Sequence, residues 1–295
     1  MSEQVKRNIF IVVILVLLGQ AVFYSVGIQK IEQDYKKEEK RKIEMTQIMD
    51  TVPLDAFAVS IYDISSNKEI YGRNDELPLP IASIAKVMTV VTALTDKSNN
   101  EINISFNALM QPNDYGFFVN EKFDKKELSK FILVGSSNDG AYALGESTED
   151  FIDKMNTKAE KLGMEDSIFI NTTGFDEDES LAGAYASASD VNTMVMYALL
   201  SDREIFEVSA LPMISIYSLD KVVHKIHNTN NFLDQMPNII FSKTGFTDLA
   251  GGTLSVVYKD INGHEIAITV LGSTYNGRFT DLIRLVKKLE TAYKP

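Results

Sequence analysis

The chain has 295 residues, 29 Lys plus Arg against 41 Asp plus Glu, a net charge of −12, and no cysteine. Disulfides and thiolate metal sites are therefore excluded, and the acidic excess falls after residue 50, which disfavours nucleic acid as a partner. The length beyond an N-terminal segment fits one large domain with a sizeable core.

Residues 1–8 form a short tail carrying Lys6 and Arg7. Ile9–Ile28 follows, 20 residues without a charge, long enough to cross a bilayer as a helix. A cleaved signal peptide is the competing reading. The apolar stretch exceeds a signal core and no small-x-small site follows it, which favours a transmembrane anchor over residues 9–28. Gln29–Asp50 is charged, lacks glycine and proline, and reads as a helical stalk over residues 29–50. Its Lys30, Lys36, Lys37, Lys40, Arg41 and Lys42 give a positive-inside count that would place residues 51–295 in the cytoplasm.

Within residues 51–295, Phe57–Tyr62 and Glu69–Tyr71 read as a hairpin with Ser65–Lys68 at its tip. Pro78 and Pro80 then punctuate the chain ahead of Ile84–Leu94, which is apolar nearly all round, as a core helix should be. Lys86 is the only charge in that run and sits one turn after Ser83, on the same face. Such a lysine is costly unless it is paired or loses its proton, and a lysine with a lowered pKa is a base near neutral pH. The alternative is a capping serine and a lysine snorkelling from a helix end.

Lys126–Val134 and Asp139–Glu146 read as helices, with Gly135-Ser136-Ser137-Asn138 as the corner between them. An ordinary cap is the plain alternative there. Asp176–Glu179 lacks the alternating ligand spacing of a calcium loop and reads as a solvated loop. His224 and His227 have no third ligand nearby and read as structural or surface residues. Asn238–Ser242 is strand-like and runs into Lys243-Thr244-Gly245. Leu254–Tyr258 and Ile266–Leu271, joined by the turn Asp260–Gly263, extend an antiparallel sheet. Gly245 would let a ligand or backbone approach closely.

Spacing alone selects little. Serine three residues before lysine recurs at Ser65–Lys68 and Ser218–Lys221, and only Lys243-Thr244-Gly245 is unique. The three motifs taken in order are Ser83-Ile84-Ala85-Lys86, Ser136-Ser137-Asn138 and Lys243-Thr244-Gly245. With Pro80–Thr89, Leu133–Asp139, Asn171-Thr172-Thr173-Gly174 and Asn228-Thr229-Asn230 around them, the sequence from Thr51 to Tyr293 resembles the D-alanyl-D-alanine carboxypeptidases, low-molecular-mass penicillin-binding proteins. Ser137 stands where those enzymes often have glycine and Ala85 where threonine is common. An arginine that some relatives carry near Thr229 is absent.

The resemblance implies an α+β fold of the penicillin-binding protein/β-lactamase type, an antiparallel sheet flanked by helices plus a mainly helical subdomain, behind an N-terminal transmembrane helix. It implies Ser83 as nucleophile, Lys86 as its base, Ser136 as proton relay, and Asn138 orienting Lys86 and the substrate amide. Lys243, Thr244, Gly245 and Phe246 would bind substrate, with the backbone N–H groups of Ser83 and Phe246 as oxyanion hole. The implied partners are peptidoglycan stem peptides ending in D-Ala-D-Ala, β-lactam antibiotics and the membrane, with no metal or cofactor. The implied place of the catalytic domain is outside the bacterial cell membrane, against the positive-inside count. A serine β-lactamase is an alternative, although no Glu-x-x-Asn spacing accompanies Glu177 and Glu179. A non-catalytic protein binding wall peptides or β-lactams is another.

Overall fold

Long β-branched and aromatic runs near the C-terminus supply the strands that organise the domain. The protein is described from a computed structural model that covers residues 2–97, 99–236 and 238–292; the side chains of residues 12–19, 21–22, 25–26 and 34 are outside the described set. The chain divides into two units, residues 1–47 and 48–295.

Helix α1 (Glu3–Met49) makes up the first unit. Its charged half is laced by helical pairs such as Lys36–Glu32 at 2.9 Å. Among the described residues no helix is long and apolar enough to cross a membrane. The transmembrane span expected over Ile9–Ile28 is therefore not found: its backbone is helical, but most of its apolar side chains lie outside the described residues.

The second unit opens with β1 (Ala58–Asp63), β2 (Lys68–Arg73) and the short β3 (Leu79–Pro80). A 3-10 turn, Ala82–Ala85, leads into α2 (Lys86–Thr95). Then come β4 (Glu101–Asn103), α3 (Phe106–Leu109), β5 (Lys122–Asp124), α4 (Lys125–Gly135), α5 (Asn138–Glu146) and α6 (Phe151–Lys161). β6 (Ile168–Phe169) and β7 (Ala184–Ala186) flank a loop that returns to the site, followed by α7 (Ala188–Ser201) and α8 (Arg203–Glu207). The chain continues through β8 (Met213–Tyr217), β9 (Val223–His227), β10 (Ile239–Thr247), β11 (Gly251–Lys259), β12 (Glu265–Ser273) and α9 (Gly277–Ala292).

Among the described residues the main sheet is five-stranded and antiparallel, ordered β10-β11-β12-β1-β2. Both parities of Ile266–Leu271 are buried, so both faces of the sheet are covered. Helix α7 packs on β1 and β12, and α9 on β11 and β12. Asn192 of α7 pins the first of these contacts, donating to Ser60 O and Ser60 Oγ and accepting from Thr269 Oγ1. Helix α2, apolar nearly all round, is the axis of the helical part and packs against α4, α5, α6 and α7. This is the expected α+β arrangement, and it leaves β10 at the sheet edge, facing the helical part.

Candidate active site

Three structural junctions meet beside β10. The first is the 3-10 turn before α2. Ala82 holds φ +48°, an uncommon conformation for a residue with a Cβ. The turn lies against Gly174, whose φ is +71° and where a Cβ would overlap the Ala82 carbonyl oxygen. The helix expected to begin beside Ser83 thus begins one turn later, with Lys86 as its first α-helical residue. Neither the turn nor α2 has a side-chain cap, so Ser83 is not a capping serine. Lys86 does not snorkel either: it is 0 % exposed.

Lys86 Nζ donates to Ser83 Oγ at 2.8 Å and to the Thr173 carbonyl at 2.6 Å. Burial, and secondarily the charge of Lys243, holds its pKa well below the ordinary lysine value. Lys86 thus holds its proton less tightly than an ordinary lysine, the condition under which an amine beside a hydroxyl can take the hydroxyl's proton.

The second junction is the corner between α4 and α5. Ser136 ends α4 in the left-handed region, φ +61°, and Ser137 caps α5 by accepting from Gly140 N at 3.0 Å. The cap is therefore Ser137, which leaves the Ser136 hydroxyl turned to the third junction. There Lys243 Nζ donates to Ser136 Oγ at 2.8 Å and to Thr244 O at 2.9 Å. Lys243 is also fully buried, and burial together with the Arg278 charge lowers its pKa to about 7.

Asn138, expected to orient Lys86, makes no such bond. Its Nδ2 donates to Pro112 O at 2.8 Å, and its buried Oδ1 has no partner among the described residues. The Thr173 carbonyl takes the place beside Lys86 instead, because the loop between β6 and β7 brings a backbone acceptor to the ammonium. Next to Asn138, burial raises Asp139 to about 6.

Thr244 Oγ1 shares a hydrogen bond with Thr229 Oγ1 at 2.6 Å. A Cβ at Gly245 would strike Thr253 Oγ1 and crowd the Ile81 carbonyl, so glycine lets β10 lie against the turn that carries Ser83. Phe246 is 44 % exposed and packs edge-on against Tyr275 at 5.0 Å, forming an aromatic rim.

Arg278 was not anticipated. Buried at the start of α9, it donates from Nη1 to Gly245 O at 2.5 Å and lies over the Tyr275 and Phe279 rings. No arginine is present near Thr229, but a guanidinium reaches β10 from α9. A lone arginine on a helix had no local signature to single it out. Thr173 lies in Asn171-Thr172-Thr173-Gly174, yet a backbone carbonyl leaves no trace in residue type.

The remaining candidates lie apart. His224 Nε2 pairs with Glu121 Oε1 at 2.8 Å inside a cage of Phe117, Phe123 and Phe131. In the acidic run, Asp178 accepts from Ser180 and Leu181, and Asp176 accepts from Leu249 N.

A serine–lysine pair, a second serine on a helix corner and an edge-strand lysine define the penicillin-binding protein class of fold. The solved structure of penicillin-binding protein D2 from Listeria monocytogenes in its cefotaxime-bound form matches with a TM-score of 0.69 at 25 % identity, covering 81 % of this chain and 98 % of that one. The chain belongs to the D-alanyl-D-alanine carboxypeptidase family, whose sequence model matches residues 44–274. It is 27 % identical over 243 residues to the D-alanyl-D-alanine carboxypeptidase DacF of Bacillus subtilis, covering 79 % of this chain and spanning 61 % of that protein's length. It is also 27 % identical over 247 residues to a D-alanyl-D-alanine endopeptidase of Escherichia coli, covering 78 % of this chain and 76 % of that protein.

Proposed function

We propose that this protein is a serine D-alanyl-D-alanine carboxypeptidase that removes the terminal D-alanine from peptidoglycan stem peptides. The observation that carries the reading is the 2.8 Å bond between Ser83 and a fully buried Lys86 whose pKa burial holds well below the ordinary lysine value. Ser83 Oγ attacks the carbonyl of the penultimate D-alanine while Lys86 Nζ takes the hydroxyl proton. The backbone N–H groups of Ser83 and Phe246 stabilise the oxyanion. As the C–N bond breaks, Ser136 passes a proton to the departing D-alanine amine, and Lys243 is the neighbour from which Ser136 regains it. Lys243 and Thr244 receive the substrate's terminal carboxylate, Gly245 gives it room, and Phe246 walls the cleft. Asn138, with its carboxamide oxygen unpartnered, orients the substrate amide. Water then attacks the ester carbonyl: its proton passes to Lys243, and Lys86 returns the proton it took to the departing Ser83 Oγ, restoring the serine and both lysines. β-Lactams acylate the same oxygen.

The same reading attaches the chain to the bacterial cell membrane through residues 9–28, with the catalytic domain outside. What supports it is the charge-free 20-residue run and the location of the substrate. Cysteine-scanning accessibility across the membrane tests the orientation: labelling of residue 150 only after the cells are broken would reject it.

The purified chain should release D-alanine from a stem pentapeptide, and penicillin should add its mass to Ser83. Release at the full rate from Ser83→Ala would defeat the assignment. The likeness to the Escherichia coli endopeptidase supports one neighbouring activity, cleavage of a D-alanyl cross-link. Assay on cross-linked peptide dimers separates it from carboxypeptidase action.

A further inference from the structure

We propose that Asn171 is a positioning residue for Lys86: its side chain fixes the loop that presents the Thr173 carbonyl, and through that carbonyl it sets where Lys86 sits and how dry it stays. The inference rests on the reading of Lys86 as the base of Ser83.

The Thr173 carbonyl receives the shorter of the two Lys86 bonds, so its placement governs the amine. That placement is set within residues 171–177. Asn171 Oδ1 accepts from Thr173 N at 3.0 Å, from Thr173 Oγ1 at 3.1 Å and from Gly174 N at 2.7 Å. Asn171 Nδ2 donates to Phe175 O at 2.9 Å and to Glu177 Oε1 at 2.6 Å. One amide thus satisfies both sides of the bend, which no other residue type of that size does. The same loop meets α2 a second time, where Thr89 Oγ1 donates to Thr172 O at 2.7 Å.

Packing holds the loop on one side, where Gly174 meets the turn before α2. A cavity of about 520 Å³, lined by Tyr142, Glu146, Phe151, Thr172, Thr173 and Glu177, lies on its other flank. On that open flank internal hydrogen bonds carry the position, and Asn171 makes most of them. The charged group facing Lys86 from the sheet is Lys243, on β10. Burial is the chief reason that Lys86 titrates low, so a loosened loop that admits water moves Lys86 back toward the ordinary lysine range.

The test is a ¹³C NMR titration of the Lys86 ε-carbon in the full chain, assigned by its loss in Lys86→Met, run beside penicillin acylation rates. In Asn171→Ala the Lys86 midpoint should rise by about one pH unit, a tenfold change in the proton equilibrium. Acylation should fall about 10- to 100-fold through misplacement of the base. Asn156→Ala is the structural control: Asn156 makes three comparable bonds, to Ile152 O, Phe169 O and Phe169 N, without touching the loop. At a similar loss of Tm it should leave the midpoint in place. Asn171→Asp combined with Glu177→Gln keeps the three acceptor bonds and should restore it. Glu177→Ala, at an exposed position, covers the case in which Asn171→Ala does not fold, and should give a smaller rise. A Lys86 midpoint unmoved in both Asn171→Ala and Glu177→Ala, or moved equally by Asn156→Ala, overturns the pin alone. A wild-type chain that penicillin does not acylate overturns the functional reading itself.

Discussion

Lys86 and Lys243 are both fully buried, each bonded to a serine hydroxyl, and the charge on Lys243 depresses Lys86. Two buried ammonium groups that repel each other cannot both keep their protons. Lys86 adds the Lys243 repulsion to its own desolvation, as Lys243 adds that of Arg278. On the proposed reading Lys86 works as the base, while Lys243, at about 7, is divided between amine and cation around neutral pH.

Replacing Lys86 with Met should lower the penicillin acylation rate about 100- to 10,000-fold, the usual contribution of a positioned general base. The rise of that rate with pH expected from Lys86 deprotonation in the wild type should vanish. Stopped-flow acylation with a fluorescent penicillin from pH 5 to 9 reads both, and a persisting acid limb would assign it to another group.

Lys243 links stability to pH. Its folded pKa is about 7 against an ordinary value of 10.5. Between these, the unfolded chain holds a proton that the folded chain lacks, so the stability contributed by this site rises with pH. Below the folded value and above the unfolded one it is flat. Wild type minus Lys243→Met should therefore gain up to about 1.4 kcal/mol of unfolding free energy per pH unit inside that window. Urea unfolding of both proteins at pH 6, 8 and 10 checks the slope, and a flat difference would refute a proton-poor Lys243.

Ser136 combines a functional hydroxyl with a strained backbone. Ser136→Ala and Ser136→Gly both remove the partner of Lys243, and their acylation rates should fall together. Glycine accepts φ +61° without a Cβ penalty, so Ser136→Gly should be the more stable of the two by about 1 kcal/mol. Thermal unfolding of the pair decides it.

Asn192 lies away from the reacting groups but ties α7 to two strands. Asn192→Ala leaves the Ser60 and Thr269 hydroxyls short of partners in a buried layer. A loss of about 1–3 kcal/mol in unfolding free energy is expected, with the acylation rate of the folded protein unchanged. Parallel urea denaturation and acylation assays separate the two effects.

The Ser83–Lys86 pair was legible because it is local: only two residues separate its members, and an apolar helix makes its lysine conspicuous. The hairpins around Ser65 and Asp260–Gly263 were legible for the same reason, since turn chemistry and alternating burial are short-range. The start of α2 was not, because Ala82 adopts its left-handed conformation only with Gly174 packed against it from 92 positions away. The Asn138–Lys86 contact was expected from the resemblance, yet the loop between β6 and β7 puts a carbonyl at that ammonium instead.

By itself, the order of residues singled out the serine and two lysines proposed as nucleophile, base and cation, because these residues and their spacings are properties of the chain. Only the tertiary structure decided their protonation and their partners. Desolvation of Lys86 and Lys243, the Thr173 carbonyl, the Asn171 pin and the Arg278 guanidinium under Gly245 all arise where distant segments exclude water together. The charge on a buried lysine depends on that surrounding volume, and no stretch of sequence contains it.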